Sequence, residues 1–343
     1  KDENDTNRVI NLIKELYSDL EIDVIHQIGV ITVNFDNELD SDEKIEDISN
    51  NLKSFIESEG EMPNLILPKH PINSIPNSIV TLSVLQGSHE TMQTLSQKSS
   101  ILDYPKLTSP YFSHFNWYLK DVIGNYETES KQNDDNSTIA LIDSGVDMNH
   151  PLLKSNIGLE LAKDYTSDSL NFNDTLGHGT QVAGIIASIA PNSKIIPYKV
   201  LGETNGKSIW VIQSIIDAAE DNIDVINLSL GTYLSKSNKE SKVLIKSYEK
   251  AIKYAKKLGS VVIASAGNDS SNLDELKERN EFHLPGGSHH LITVSSNSKR
   301  NTLSSYSNYG KEIDFSAPGG DLGADYESSG FLDISEMIIT TYP

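Results

Sequence analysis

Three short segments of this sequence carry residue types that nucleophilic hydrolysis uses. Asp143 ends the run Ile-Ala-Leu-Ile-Asp, His178 lies in Gly-His-Gly-Thr, and Asn268 lies in Ser-Ala-Gly-Asn. Hydrolysis by a serine hydroxyl needs a base for the hydroxyl proton, a carboxylate that orients this base, and donors for the developing oxyanion. Histidine suits the role of base, because its ordinary pKa of about 6.5 permits proton transfer near neutral pH. The three residues therefore predict the acid, the base and the oxyanion donor of one hydrolytic site.

Each of these residues also has a structural interpretation. For Asp143 the alternative is an aspartate that caps a helix from a loop. For Asn268 the alternative is a turn asparagine beside a glycine. A lone histidine is more often structural than catalytic, but the glycines on both sides of His178 favour the functional interpretation.

The elements that would position these residues alternate between short apolar runs and helical stretches. The predicted strands lie at 139–142, 194–200, 225–229, 261–264 and 291–295, and the predicted helices lie at 180–189, 209–222 and 244–258. This alternation predicts an α/β fold whose mostly parallel sheet is covered by helices on both faces. Functional groups of such sheets gather at the carboxyl ends of strands, and Asp143, Ser229 and Asn268 fall at such ends.

A small α+β unit is predicted ahead of this domain, in residues 1–73. Apolar residues at helical spacing predict helices over 9–17 and 45–56, and runs rich in β-branched or apolar residues predict strands at 28–35 and 65–67. Residues 74–107 are rich in Ser, Thr, Gln and Pro, which is typical of an exposed connector and processing region. The predicted catalytic domain then occupies residues 108–343.

Composition limits the partners and the site chemistry. The 343 residues include 28 Lys and Arg against 49 Asp and Glu, and the net charge of −21 disfavours nucleic acid and favours a cationic substrate. Solubility alone also accounts for this charge. The absence of cysteine excludes disulfides, a thiol nucleophile and thiolate metal ligands. No apolar run approaches the roughly 18 residues that span a bilayer, so no transmembrane segment is expected in this sequence.

Five motifs in order make the chain similar to the subtilisin-like serine proteases over roughly residues 110–343. They are Asp-Ser-Gly at 143–145, His-Gly-Thr at 178–180, Asp-Val-Ile-Asn-Leu-Ser-Leu-Gly at 224–231, Ser-Ala-Gly-Asn at 265–268 and Phe-Ser-Ala-Pro-Gly at 315–319. The aspartate precedes the histidine, as it does in this family. The resemblance implies a subtilisin-like fold in which Asp143 orients His178 and Asn268 supplies the oxyanion hole.

The resemblance also implies where a peptide substrate binds. Residues 229–231 match the edge strand that pairs with an extended peptide, residues 205–207 match the opposite wall, and Pro285 matches the loop that closes the first specificity pocket. The implied substrate-binding residues are Asn205, Gly206, Lys207, Ser229, Leu230, Gly231, Asp269 and Pro285. Asp269 would favour Arg or Lys in the first pocket. This acidity, a polar insert at 232–243 and the N-terminal unit resemble the leader peptidases of lantibiotic biosynthesis, of the epidermin or nisin type.

The chain departs from the family at the nucleophile. The family's serine lies in Gly-Thr-Ser, some tens of residues after the segment that matches 338–343, and this sequence contains no Gly-Thr-Ser. The expectation is a serine endopeptidase precursor whose nucleophile is absent from this chain, so that the chain alone is inactive. The alternative is a non-catalytic peptide-binding pseudoprotease.

Further expectations concern metals, partners and location. Residues 178–194 leave no room for the loop of the family's tight calcium site, so no cofactor is required and acidic loops offer at most weak calcium binding. The N-terminal unit resembles the family's propeptide, with an unrelated accessory domain as the alternative. The expected partners are a peptide or precursor-peptide substrate and the protein's own propeptide. The expected location is secreted or at the surface of a bacterium.

Overall fold

The N-terminal unit combines a helix with a two-stranded hairpin. The computed structural model describes residues 3–17, 20–34, 48, 50, 52, 116–123, 137–166, 171–203 and 206–343. Helix α1 (Glu3–Leu16) is followed by the antiparallel strands β1 (Glu21–Ile25) and β2 (Val30–Asn34). The residues buried together in this unit are Val9, Ile13, Ile48 and Leu52. The last two belong to the apolar face predicted for a second helix.

Only some of the elements predicted for this unit lie within the residues that the structure describes. The strand predicted at 28–35 corresponds to β2, whereas β1 has no counterpart among the predictions. The strand predicted at 65–67 and the connector at 74–107 lie outside the described residues. The division into residues 1–73, 74–107 and 108–343 therefore stays a prediction.

A seven-stranded parallel sheet forms the centre of the larger domain. The strands after residue 116 are β3 (Thr138–Asp143), β4 (Lys163–Asp164), β5 (Lys194–Lys199), β6 (Val225–Leu228), β7 (Thr232–Ser235), β8 (Val261–Ser265), β9 (Glu281–Leu284), β10 (Ile292–Asn297) and β11 (Phe315–Pro318). Strands β7 and β9 form a separate antiparallel pair. The others form one sheet in the order β11-β10-β8-β6-β3-β5-β4, and its neighbouring strands are parallel. The predicted mostly parallel sheet is confirmed.

Helices cover both faces of this sheet, as predicted. The helices after residue 116 are α2 (Trp117–Ile123), α3 (His178–Ile189), α4 (Ser208–Glu220), α5 (Lys239–Leu258), α6 (Leu273–Glu278) and α7 (Tyr326–Ser329), with a 3₁₀ turn at Ile334–Glu336. Successive side chains of a strand point to opposite faces. In β3, Ala140 and Ile142 are buried in the cluster that contains α4 and α5, whereas Leu141 is buried with Ala183 of α3. Among the described helices, none is both long and apolar enough to cross a bilayer.

Residues 232–243, predicted as a polar insert, contain regular structure at both ends. Their first four residues form β7, whose alternate residues Thr232 and Leu234 are buried. The polar residues that follow a short turn belong to the beginning of α5. The segment therefore lies between β6 and β8 and contributes to β7 and α5, and its description as an insert stays a prediction.

Candidate active site

Asp143 and His178 meet at the carboxyl end of the parallel sheet. Asp143 is the last residue of β3, and His178 is the first residue of α3. Nδ1 of His178 lies 2.7 Å from Oδ1 of Asp143, whose side chain is fully buried. Because a carboxylate only accepts hydrogen bonds, Nδ1 carries the proton in this contact and Nε2 is the basic nitrogen. The pair has the geometry of a base and its orienting acid.

The surroundings of His178 raise its pKa above the ordinary value. Burial by itself lowers the pKa of an imidazole, because it disfavours the cation. The charge of Asp143 and the hydrogen bond to it, with a further contribution from the charge of Asp174, outweigh burial and raise the pKa of His178. The site therefore stabilises the imidazolium that forms when the base takes up a proton.

A second buried carboxylate, Asp174, connects the segments that carry the pair, and the sequence motifs did not include it. Its Oδ1 accepts a hydrogen bond from Oγ of Ser144 at 2.8 Å. Its Oδ2 accepts from the backbone N–H and the hydroxyl of Thr180, at 2.8 and 2.7 Å. Asp174 thus links the residue after Asp143 to the first turn of the helix that begins at His178. An acidic residue shortly before a helix is an N-terminal signal that sequence inspection can find.

The glycine after His178 is required by a close approach of two backbones. A Cβ atom at Gly179 would lie 2.0 Å from the carbonyl oxygen of Gly145. The N–H of Gly179 donates to Oγ of Ser144 at 2.9 Å. The Gly-His-Gly pattern therefore reflects the tight packing of the start of α3 against the loop after β3.

Asn268 lies on the loop after β8, at the same edge of the sheet as Asp143. Strands β3 and β8 both flank β6 in the parallel sheet, so their carboxyl ends point the same way. Gly267 has a φ of 101°, which a side chain disfavours, and a Cβ atom there would lie 2.4 Å from Nδ2 of Asn308. The Asn268 side chain is exposed, which leaves it within reach of a bound peptide.

The segment predicted to pair with substrate connects β6 to β7. Leu230 is buried, whereas Ser229 and Gly231 are partly exposed. Oγ of Ser229 accepts a hydrogen bond from Nδ2 of Asn227 at 3.0 Å. Pro285, predicted to close the first pocket, is buried directly after β9. The pairing of β7 with β9 brings these two predicted segments together.

The predicted opposite wall is described only in part. Gly206 forms an antiparallel bridge with Leu201. The Nζ of Lys207 lies 5.0 Å from the ring centroid of Trp210, in the first turn of α4. Asn205 lies outside the described residues.

His283 is buried between the two glycine-containing segments and was not singled out in the sequence. A Cβ atom at Gly231 or Gly267 would lie 2.4 or 3.0 Å from its Nε2. Its ring contacts that of Tyr233, with centroids 4.9 Å apart. Burial lowers the pKa of His283 to about 4, although the charge of Asp269 acts in the opposite direction. His283 is therefore neutral near pH 7, so it does not cancel the negative charge of Asp269.

Asp269 is exposed beside Asn268, at the rim of this region. Its carboxylate accepts a hydrogen bond from the hydroxyl of Tyr233. Burial of the Tyr233 ring, together with this bond, raises the pKa of Tyr233. Among the residues that the structure describes, no group of three or more His, Asp or Glu side chains could hold a metal ion. The weak calcium binding considered for the acidic loops stays a prediction.

The sequence is similar to those of known proteases. A family model described as the Subtilase family matches residues 134–342. The epidermin leader peptide-processing serine protease EpiP of Staphylococcus epidermidis is 36% identical over 218 residues, covering 53% of this chain and 47% of that protein. The nisin leader peptide-processing serine protease NisP of Lactococcus lactis subsp. lactis is 33% identical over 208 residues, covering 51% of this chain and 30% of that protein. This chain thus spans less than half the length of each of these two relatives.

The structure of the chain is also similar to solved structures of proteases. A crystal structure of a lanthipeptide protease is 40% identical with a TM-score of 0.63, covering 68% of this chain and 69% of that one. The epidermin leader peptide-processing protease EpiP from Staphylococcus aureus is 25% identical with a TM-score of 0.74, covering 100% of this chain and 80% of that one. Both matches agree with the parallel sheet and the arrangement of helices described above.

Proposed function

The chain belongs to the subtilase family, and from this premise we propose that the protein is a serine endopeptidase with an Asp-His-Ser mechanism. The observation that carries the proposal is the 2.7 Å contact between Nδ1 of His178 and Oδ1 of Asp143. In this mechanism Nε2 of His178 takes the proton of the serine hydroxyl and later gives it to the leaving amine. Asp143 stabilises the imidazolium, and the amide of Asn268 donates to the oxyanion.

We place the nucleophilic serine outside the 343 residues, because the sequence contains no Gly-Thr-Ser. The segment before Pro343 lies along the first turn of α3. Oγ1 of Thr341 donates to the carbonyl of Thr180 at 2.6 Å, and Oγ1 of Thr340 donates to that of Gln181 at 2.8 Å. These bonds hold residues 340 and 341 against the helix that begins with the base.

Labelling with a fluorophosphonate tests the proposed nucleophile. The natural full-length protein is expected to react at one serine in a Gly-Thr-Ser sequence, and the same protein with His178→Ala is expected to react far more slowly. Mass spectrometry of the labelled peptide identifies the residue. Binding of peptides without labelling and without turnover would instead favour the non-catalytic peptide-binding protein.

We further propose that the substrate is a precursor peptide that is cut after a basic residue. Three observations support this class: the similarity to the two leader peptide-processing proteases, the net charge of −21, and the position of Asp269 beside Asn268 next to a neutral His283. A secreted or cell-surface location in a bacterium fits such a substrate and stays part of the proposal.

Asp269→Ala tests the basic preference. We expect kcat/KM for a peptide with Arg before the scissile bond to fall about fivefold more than for the same peptide with Leu, since a partly exposed ion pair contributes up to about 1 kcal/mol. The matched control is Glu278→Ala, which removes one exposed negative charge outside the predicted pocket. Equal losses for the Arg and Leu peptides would contradict the preference.

We also propose that residues 1–73 act as a propeptide that docks on α4 and α5. The turn between β1 and β2 contacts these helices. Ile25 and Ile28 are buried in the main core cluster with residues of both helices. Nε2 of Gln27 donates to the carboxylate of Glu220 at 2.9 and 3.0 Å, and Nζ of Lys250 donates to the carbonyl of Ile28 at 3.4 Å.

Ile28→Asp is expected to release this contact, because it places a charge in an apolar interface at a cost of several kcal/mol. Hydrogen exchange in residues 21–34 should accelerate at least tenfold, while exchange in β3 stays slow. His26→Asp adds the same charge at an exposed position of the same turn and is expected to have little effect. Similar acceleration in both variants would argue against docking through Ile28.

A further inference from the structure

One buried amide side chain, that of Asn308, binds the backbone on both sides of Asn268. Its Nδ2 donates to the carbonyl of Ala266 at 2.8 Å. Its Oδ1 accepts from the backbone N–H groups of Asp269 at 3.1 Å and Ser271 at 2.9 Å. Asn308 therefore binds the loop both before and after the exposed Asn268, and backbone bonds of Ala266 to Val294 and of Ser270 to Tyr306 also hold this loop.

The other hydrogen bonds of Asn308 join it to Gly267 of the same loop and to Tyr233 of β7. Its backbone N–H donates to the carbonyl of Gly267 at 3.0 Å. The second hydrogen-bonding contact of Nδ2 is with the hydroxyl of Tyr233 at 2.6 Å, and that hydroxyl also bonds the carboxylate of Asp269. Asn308 is fully buried, so these hydrogen bonds are shielded from water. A donor or acceptor left here without its partner would therefore lower the stability of the loop.

An oxyanion donor acts through its position. It must lie within hydrogen-bond distance of the place where negative charge develops, and it lowers the barrier only if it is held there beforehand. Asn268 lies on an irregular loop beyond the end of β8. The groups that bind the residues on both sides of Asn268 therefore contribute to its placement.

We propose that Asn308 is a positioning residue for the oxyanion donor Asn268. This inference rests on the proposed serine endopeptidase function. Asn308 touches neither substrate nor reacting atoms, and it acts through the backbone of residues 266–271. Its loss should therefore lower kcat more than it raises KM, because ground-state contacts along residues 229–231 are left intact.

Asn308→Asp in the full-length protein is the first variant. It keeps the size and one oxygen acceptor but replaces the donor that faces the carbonyl of Ala266 by a second oxygen. We expect kcat to fall about 10- to 100-fold, the order that a misplacement of about 1 Å in a catalytic group causes. KM should change less than about threefold.

A double-mutant cycle with Asn268→Ala distinguishes positioning from a general structural role. If Asn308 acts through Asn268, Asn308→Asp will cost less than about threefold in kcat once Asn268 is already alanine. An equal loss in both backgrounds would overturn the proposal. Tyr233→Phe supplies a second, milder variant, since it removes the hydroxyl that bonds both Asn308 and Asp269. Its effect on kcat should show the same dependence on Asn268.

Asn156→Asp is the matched control for removing a buried asparagine. Asn156 is 7% exposed, and its Nδ2 donates to the carbonyls of Pro191 at 2.7 Å and Ser193 at 3.1 Å, away from the Asn268 loop. It should lower Tm with no change in kcat. Thermal unfolding of all variants shows whether the fold is retained.

The two proposals fail in different ways. A wild-type protein that neither turns over peptides nor reacts with fluorophosphonate refutes the proposed function. Normal wild-type turnover, with losses of kcat that are additive for Asn308→Asp and Asn268→Ala, refutes only the role of Asn308.

Discussion

Replacing Asp143 by Asn in the full-length protein is expected to lower kcat about 10⁴-fold, the order found for this change in a known Ser-His-Asp protease. Oδ1 of Asp143 accepts hydrogen bonds from Nδ1 of His178 and from the backbone N–H of Ser144, both at 2.7 Å. A neutral amide keeps the shape of the carboxylate but cannot stabilise the imidazolium. It also permits the wrong tautomer of His178, in which Nε2 carries the proton and cannot act as a base.

The pH profile provides an independent test of this pair. The base must be neutral to accept the serine proton, so kcat/KM falls as pH drops below the pKa of His178 in the free enzyme. Asp143 raises that pKa above 6.5, and the acidic limb should lie above this value in the wild type. In Asp143→Asn it should move to lower pH. Asp325→Asn, an exposed change directly before α7, should leave the limb in place. An unmoved limb in Asp143→Asn would contradict the pairing.

Much of the fold follows from local sequence patterns. The apolar run 139–142 predicted β3 to within one residue at each end, because this strand is buried on both faces and its residues are uniformly apolar. Helix α5 begins at Lys239, five residues before the prediction, since its first turn is polar and carries no apolar marker. Strand β4 has two residues and exists only through its pairing with β5, which a local pattern cannot show.

The candidate active site was likewise predictable only in part. The contact between Asp143 and His178 could be anticipated, because each residue lies in a short motif at a predictable strand or helix end. Asp174 has the position of a helix N-terminal signal, but its bond to Ser144 and the contacts of His283 and Asn308 could not be anticipated, because they depend on tertiary structure. Asn308, for example, bonds Ala266 across 42 positions of the chain, and nothing in its own segment indicates that contact. The roles assigned to the specificity residues stay predictions.

Asn268→Ala is expected to lower kcat about 10²- to 10³-fold with little change in KM, the loss that removal of such a side-chain donor causes in subtilisin. The amide would donate only when the carbonyl oxygen has become an oxyanion, so its removal affects the transition state more than the bound substrate. The exposed position of Asn268 after β8 means that its truncation opens no cavity in the core. Tm should therefore stay nearly unchanged.

Steady-state kinetics of the full-length protein with one peptide substrate give this test. Asn272→Ala is a useful control, because it removes another asparagine of the same region whose side chain caps α6 by accepting the N–H of Asp274 at 3.0 Å. It should lower stability by about 1 kcal/mol and leave kcat close to that of the wild type. The two variants thus separate transition-state stabilisation from loop stability. If Asn268→Ala left kcat close to that of the wild type, the assignment of Asn268 as the oxyanion donor would be wrong.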